Sequence, residues 1–157
     1  MNVLIVEDDQ NKLRQLVDFI KSVYPNWRIS ERRSYQSGLK AVLDNVYDVL
    51  ILDMSMPTYD ISPIEPGGRP RHFAGREIMS QMSRKNVDTP TIIVTQFETF
   101  GEGEEKTSLT ELKKLLEASG DNKYRGTIYY SAGRDTWKKE LFDSLRVIAD
   151  KESGATK

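Results

Sequence analysis

The sequence predicts a doubly wound α/β domain, in which helices cover both faces of a parallel sheet. Four short apolar runs are rich in β-branched or aromatic residues and do not alternate with polar ones, at residues 3–6, 49–52, 92–94 and 128–130. Strands that are buried on both faces of a parallel sheet have this pattern. A weaker fifth strand is predicted at residues 27–30, after the Pro25-Asn26 break.

Segments of helical periodicity separate these runs. Leu13, Leu16, Val17 and Ile20 have the spacing i, i+3, i+4 and i+7 and form one apolar stripe. Similar stripes lie at Leu39, Val42 and Leu43; at Ile78, Met79 and Met82; at Leu109, Leu112, Leu115 and Leu116; and at Trp137, Leu141, Leu145 and Ile148. Strands that alternate with helices predict right-handed βαβ connections. Five strands and five helices predict a flavodoxin-like five-stranded sheet, the (βα)5 arrangement.

The length of the chain predicts one domain, because 157 residues fall within the range of about 100 to 200 residues for a single domain. Two connections are longer than usual: residues 58–74, which are rich in proline and glycine, and residues 96–107, which hold an acidic cluster. Loops of this length in a compact domain are usually functional or mobile. We predict a domain at residues 1–150 and a disordered tail at residues 151–157.

Charge and composition argue against several classes of partner. The 23 Lys and Arg residues nearly balance the 24 Asp and Glu residues, so no net field favours nucleic acid or an anionic membrane. The chain has no cysteine and hence no disulfide framework. The opening MNVLIVEDD is too short and too acidic for a signal peptide, and no apolar run reaches the ~20 residues that cross a bilayer. We expect a soluble, cytoplasmic protein.

Acidic and hydroxyl side chains follow three of the predicted strands. Glu7, Asp8 and Asp9 end the first strand, Asp53 ends the third, and Thr95 ends the fourth. Ligands of open parallel α/β sheets bind beyond the carboxyl ends of the strands, so these side chains are expected at one edge. Carboxylates that converge there repel one another unless a cation enters. Mg²⁺ suits such a site, because it prefers oxygen ligands and binds through one or two carboxylates together with phosphate oxygens.

Three segments of the sequence resemble a known family. VLIVEDD, DVLILDMSMP and PTIIVT are similar, in order and spacing, to the strand ends of response-regulator receiver domains (CheY-like). The resemblance covers most of the chain from Met1 to about Ile148, interrupted by the two long loops. Gly75 matches the glycine with which the third helix of the family opens. The resemblance implies a receiver of two-component signal transduction.

The same resemblance implies a role for each residue at the strand ends. Asp53 is the phosphoacceptor, and Glu7 and Asp8 are the acidic pair that holds Mg²⁺, with Asp8 as a direct ligand. Asp53 and the main-chain carbonyl of Ser55 are further metal ligands, and the hydroxyl of Thr95 contacts a phosphoryl oxygen after transfer. General chemistry agrees, because a carboxylate can form an aspartyl-phosphate. Phosphoryl transfer also needs little beyond in-line positioning and neutralisation of charge.

The sequence departs from the family at the fifth strand, which reads GTIYYSAG. The family carries a lysine there that pairs with the phosphoryl group, and this chain has Tyr130 or Ser131 at that position. The aromatic switch residue three positions earlier falls on Thr127 or Ile128, so it is missing too. These departures favour, as an alternative function, a pseudo-receiver that acts without phosphorylation.

A cation from elsewhere in the chain is a second way to explain the missing lysine. Arg69 and Arg71 lie in the segment that leaves the third strand beside Asp53. A guanidinium pairs well with phosphate oxygens, so one hypothesis is that either arginine pairs with the phosphoryl group. The other interpretation is that both arginines are solvated loop charges.

Several other residues have simple structural interpretations. Asp9 is predicted as a helix N-cap. His72 is the single histidine, and it is predicted to face solvent in an irregular loop. The acidic cluster of residues 102–105 is predicted to be a solvated loop. Trp137 is predicted to lie in the core, because it belongs to an apolar helical stripe.

The leading functional prediction is a stand-alone phosphoacceptor and not an enzyme. Its donor is expected to be a histidine kinase or phosphotransfer protein, and its output to be contact with a downstream protein. A third interpretation is a Mg²⁺-dependent phosphohydrolase of the haloacid-dehalogenase kind, which also uses an aspartate nucleophile at a strand end. That chemistry needs a second carboxylate two residues after the nucleophile as general acid, and this chain has Ser55 there.

Overall fold

The computed structural model describes the backbone of residues 1–155 and the side chains of residues 1–151. Its centre is a parallel sheet of five strands, in the spatial order β2-β1-β3-β4-β5. The strands are β1 (Asn2–Val6), β2 (Arg28–Arg32), β3 (Val49–Leu52), β4 (Thr91–Thr95) and β5 (Tyr124–Tyr129). This is the flavodoxin-like order, in which the direction of winding reverses between β1 and β3.

Five helices cover the two faces of the sheet. They are α1 (Gln10–Val23), α2 (Tyr35–Asp44), α3 (Ala74–Arg84), α4 (Leu109–Ala118) and α5 (Thr136–Ala155). Helices α1 and α5 pack on one face together with Val3 and Ile5 of β1. Helices α2, α3 and α4 pack on the other face, with Leu4 and Val6 of the same strand. Successive residues of β1 therefore point into opposite core layers, which confirms the predicted doubly wound fold.

Most predicted strand limits shift by one or two residues, and two boundaries differ more. Strand β5 begins at Tyr124, before the predicted run at 128–130, because Arg125 and Gly126 interrupt its apolar pattern. Helix α5 continues to Ala155, past residue 151, where the sequence predicted a disordered tail to begin. The apolar stripe ends at Ile148, but Asp150 and Lys151 continue the helix without burying an apolar face. Residues 156–157 lie outside the described residues.

The two long connections contain short antiparallel strand pairs. In the first connection, Met56–Pro57 pairs with Pro70–Arg71. In the second, Thr99–Phe100 pairs with Thr107–Ser108, and a turn of 3-10 helix at Gly103–Glu105 lies between them. The ring centres of Phe73 and Phe100 are 6.5 Å apart. Aromatic packing between Phe73 and Phe100 therefore joins the two connections.

Candidate functional site

Three carboxylates meet at the carboxyl end of the sheet. Glu7 and Asp8 follow β1, and Asp53 follows β3, which pairs with β1 through Val6 and Leu52. The N–H of Asp53 donates to the Val6 carbonyl at 3.0 Å, which extends this pairing beyond the strand. One oxygen from each of the three carboxylates lies within 4.8 Å of the other two. The structure therefore brings together the acidic residues that the sequence singled out.

The acidic cluster is largely shielded from water. Glu7 is 1% exposed and Asp53 is 2% exposed, whereas Asp8 is half-buried. Burial, and after it the negative charge of Asp53, raises the pKa of Glu7 and the pKa of Asp8. The carboxylates have lost hydration and repel one another, and both effects disfavour the ionised state. A cation that enters the cluster relieves this repulsion.

One buried lysine lies against the acidic cluster. Lys12 is 0% exposed, and its ammonium forms an ion pair with the carboxylate of Glu7. Its Nζ also lies 3.5 Å from Oδ1 of Asp53 and donates to the Val94 carbonyl at 2.7 Å. Of the side chains that the structure describes, Lys12 is the one cation within ion-pair distance of Asp53.

The first turn of α1 positions Lys12 and Glu7. Asp9 is the N-cap of this helix, and its side chain accepts from the Lys12 N–H at 2.9 Å, which confirms the predicted role. The N–H of Asp9 donates to Oε2 of Glu7 at 3.0 Å. One oxygen of Glu7 is therefore held by the ammonium of Lys12 and the other by a main-chain N–H.

Asp53 keeps one carboxylate oxygen without a partner. Its Oδ1 accepts from the Met54 N–H at 2.7 Å. Its Oδ2 is buried and has no hydrogen-bond partner within the described range of the chain. A buried oxygen left in this state is destabilising and calls for a functional explanation, such as a bound ion.

Gly75 allows helix α3 to approach the backbone that follows β3. Its N–H donates to the Met54 carbonyl at 3.0 Å. A Cβ at this position would lie 2.7 Å from the Asp53 carbonyl oxygen and 3.1 Å from the Cα of Met54. Glycine is needed here because backbone atoms lie where a side chain would start. Gly75 is the second residue of α3, which confirms its predicted place at the opening of the helix.

Thr95 is the last residue of β4 and is fully buried. Its Oγ1 accepts from the Phe97 N–H at 3.2 Å, which leaves the hydroxyl proton available for another acceptor. Ser55 is half-buried and lies two residues after Asp53, in the turn that follows β3. These positions at strand ends are as the sequence indicated, while a phosphoryl contact by Thr95 and a metal contact by the Ser55 carbonyl stay predictions.

The two arginines of the 58–74 segment are not paired with the acidic cluster in the described part of the chain. Arg71 forms an ion pair with Glu77 at 3.0 Å, and its guanidinium lies 4.2 Å from the ring centre of Tyr35. Within the part of the chain whose side chains are described, neither Arg69 nor Arg71 makes an ion pair with Asp53. The segment folds back as an antiparallel pair, and Arg71 is used to hold it against α2 and α3. The structure therefore favours a different cation for the site.

Of the two residues at the expected position of the missing lysine, Tyr130 and Ser131, Tyr130 lies against the site. Its N–H donates to the Thr95 carbonyl at 2.7 Å, just beyond the end of β5. Its ring is buried, with the Nζ of Lys12 5.9 Å from the ring centre. Lys12 therefore reaches this part of the site from α1.

Lys12 was not among the residues predicted for the site, although the sequence holds a signal for it. Lys12 lies one helical turn before Leu16 and therefore on the apolar stripe of α1. It is also in the first turn of that helix, where the helix dipole disfavours a cation. A lysine that violates both preferences, three residues after the acidic run that ends at Asp9, indicates an electrostatic partner nearby.

The donor set fits a hard divalent cation. Glu7, Asp8 and Asp53 offer closely spaced oxygens, and Oδ2 of Asp53 is buried without a partner among the described residues. Oxygen donors of this kind suit Mg²⁺, which needs only one or two carboxylates and keeps several waters. The other predicted features also agree with the structure, because His72 and the acidic residues 102–105 are exposed and Trp137 is buried.

Comparison with known proteins gives the class of the chain. Residues 3–111 match the family model described as the response regulator receiver domain. The matched region holds the acidic cluster, Lys12 and Thr95. The chain belongs to the response regulator receiver family.

Known relatives and solved structures agree with this membership. The chain is 33% identical over 147 residues to the Detocs response regulatory protein DtcB of Enterobacter cloacae, with 92% of this chain and 98% of DtcB covered. The receiver domain of Francisella response regulator 1452 has a similar fold, with a TM-score of 0.60 at 21% identity, over 96% of this chain and 98% of that one. The response regulator TrrA of Thermotoga maritima was solved in complex with Mg²⁺ and BeF. Its TM-score is 0.54 at 18% identity, and the match covers 91% of this chain and 97% of TrrA.

Proposed function

We propose that the protein is a receiver that accepts a phosphoryl group on Asp53 with the help of Mg²⁺. The observation that carries this proposal is the unpartnered Oδ2 of Asp53, which is buried beside two further carboxylates in the described structure. A carboxylate oxygen that is free of hydrogen bonds is available as a nucleophile. The surrounding negative charge explains why a cation is needed before a phosphate donor can approach.

Each residue of the site has a separate part in this function. Asp8 and Asp53, supported by Glu7 and the Ser55 carbonyl, would hold Mg²⁺. The bound ion supplies neutralisation of the charge on the phosphoryl oxygens. The Met54 N–H fixes the orientation of Asp53 through Oδ1. Thr95, whose hydroxyl proton is free to be donated, contacts a phosphoryl oxygen after transfer.

Partners and output are inferred from the family. The donor is a histidine kinase or a phosphotransfer protein, as for response regulator receivers in general, and the protein accepts the group and does not turn over a substrate. The complex of TrrA with Mg²⁺ and BeF supports the choice of metal. We propose that the output is contact with another protein, because ~1.5 to 2 added negative charges bias a two-state surface.

The location of the protein in the cell is inferred from its sequence. No described helix is both long enough and apolar enough to span a membrane. Cytoplasmic location and stand-alone action stay predictions.

A phosphorylation-independent pseudo-receiver is the second candidate function. The observation in its favour is that both residues at the expected position of the family's lysine, Tyr130 and Ser131, are uncharged. The ammonium of Lys12 beside Asp53 weakens this argument, because a cation is present in the site after all. The phosphohydrolase has less support, since residue 55 is a serine and not a carboxylic acid.

Phosphorylation in vitro separates the two receiver functions. After incubation with acetyl phosphate and Mg²⁺, we expect the intact mass to rise by ~80 Da, the mass of one phosphoryl group. The adduct should disappear in Asp53→Asn and when EDTA replaces Mg²⁺. Asp143→Asn, which changes an exposed aspartate of α5, is the matched control and should still form the adduct. No adduct on the wild-type protein would reject the proposal and favour the pseudo-receiver.

A further inference from the structure

The side chain of Lys12 follows a path that surface lysines do not take. A lysine near the start of a surface helix normally extends its ammonium to water, and a fully buried lysine is rare unless it is paired. Lys12 is 0% exposed, and its side chain is directed into the protein from the first turn of α1. The ammonium ends at the carboxyl edge of the sheet, where it donates to the Val94 carbonyl.

The contacts of the ammonium are unequal. An ammonium has three N–H donors. The Val94 carbonyl accepts at 2.7 Å and Glu7 forms a close ion pair, whereas Oδ1 of Asp53 is 3.5 Å away. The donor that faces Asp53 is therefore the one that is least engaged. It is free to turn toward a stronger acceptor placed on Asp53.

We propose that Lys12 is the residue that donates to the phosphoryl group carried by Asp53, in place of the fifth-strand lysine that this chain lacks. This inference rests on the proposed function of Asp53. Among the side chains that the structure describes, the other cation considered for the role, Arg71, is paired with Glu77 and packed on Tyr35. Lys12 is already inside the site, so little rearrangement is needed.

The transfer step keeps the proton of Lys12 in place. An oxygen of Asp53 forms a bond to phosphorus while the bond from phosphorus to the leaving group of the donor breaks, and the leaving group keeps the bonding electron pair. The bond that breaks is P–N for a phosphohistidine donor and P–O for acetyl phosphate. Lys12 donates a hydrogen bond to a non-bridging phosphoryl oxygen and remains an ammonium. The phosphoryl group carries ~1.5 to 2 negative charges, so it is a stronger partner than the single charge of the carboxylate.

The path of the signal differs from one that starts at the fifth strand. Lys12 is anchored in α1 and holds the Val94 carbonyl. Val94 directly precedes Thr95, the other residue expected to contact the phosphoryl group. A shift of the ammonium toward the phosphoryl group therefore changes contacts of α1 and β4, while Tyr130, which follows β5, is uncharged.

The test compares Lys12→Met with a matched change at the second buried lysine. Lys123 is 4% exposed and paired with Asp121, and it precedes β5 at the opposite end of the sheet. With acetyl phosphate and Mg²⁺, we expect Lys12→Met to form the adduct about 10 to 100 times more slowly, as for loss of one charged hydrogen bond. Lys123→Met should form it at the wild-type rate. Mg²⁺ affinity measured by calorimetry should stay the same or rise in Lys12→Met, because a competing cation is gone.

A second measurement uses the unmodified chain, so it does not depend on the folding of a variant. The ¹⁵N resonance of the Lys12 ammonium should shift when beryllium fluoride and Mg²⁺ are added, and the Lys123 ammonium should not. An unchanged Lys12 resonance would overturn the inference. Equal rates of adduct formation in the wild type and Lys12→Met would overturn it too, while leaving the proposed function intact. A wild-type chain that takes no adduct would reject both together.

Discussion

Replacing Asp8 with asparagine is expected to stabilise the metal-free protein and to remove half or more of its stabilisation by Mg²⁺. The pKa of Asp8 is raised, first by burial and then by the charge of Asp53. A carboxyl group whose pKa is higher in the folded state destabilises the fold once pH exceeds its unfolded value, so at neutral pH its removal is favourable. Asp8 is half-buried, and solvent screening limits the gain to about 1 kcal/mol.

The effect of Mg²⁺ has the opposite sign. At 100 times its Kd, an ion that binds only the folded state adds about 2.7 kcal/mol to the free energy of unfolding. Loss of a direct carboxylate ligand should weaken binding at least tenfold, or about 1.4 kcal/mol. Urea unfolding with and without Mg²⁺ measures both effects, with Glu104→Gln as the control for loss of an exposed negative charge. Equal stabilisation of wild type and Asp8→Asn by Mg²⁺ would argue against Asp8 as a ligand.

Gly75→Ala is expected to destabilise the fold and to disturb the acceptor turn. The new Cβ would lie 2.7 Å from the carbonyl oxygen of Asp53, and both atoms are fixed to backbone. Helix α3 or the turn after β3 must therefore move, which costs about 1–3 kcal/mol for an overpacked site. Because the turn carries Asp53, the rate of adduct formation should fall as well.

Gly133→Ala is the matched control for this substitution. Gly133 is exposed, and a Cβ there would meet nothing within 4 Å among the described atoms. Its effect should be neutral or slightly stabilising, because alanine restricts the unfolded chain. Denaturant unfolding of both variants measures the change in their free energies of unfolding. If the two substitutions shifted the unfolding midpoint equally, the close approach of α3 to Asp53 would not be a constraint on the fold.

The fold could be predicted well because the strands of a doubly wound sheet are buried on both faces. β1, β3 and β4 appear in the sequence as unbroken apolar runs. β2 is only partly buried, and its signal was correspondingly weak. The acidic site followed from topology, because parallel strands bring their carboxyl ends to one edge.

The lysine that lies beside Asp53 in the structure was not identified from sequence. Proximity in sequence suggested Arg69 and Arg71 as one hypothesis beside that of solvated loop charges, and in the structure Arg71 pairs with Glu77. Lys12 reaches the site because α1 starts at Gln10, only four residues after β1 ends at the carboxyl edge of the sheet. Its partner Val94 is 82 residues away in the chain. A contact over that distance is visible only once the strands are paired.

The central claim is that Glu7, Asp8 and Asp53 form one site for a hard cation. Titration of the ¹⁵N-labelled protein with Mg²⁺ tests it most directly, because each amide reports its own surroundings. The largest changes are expected at the amides of Asp8, Asp53 and Met54, with one shared dissociation constant. Changes confined to another acidic region, such as the exposed residues 102–105, would contradict the claim.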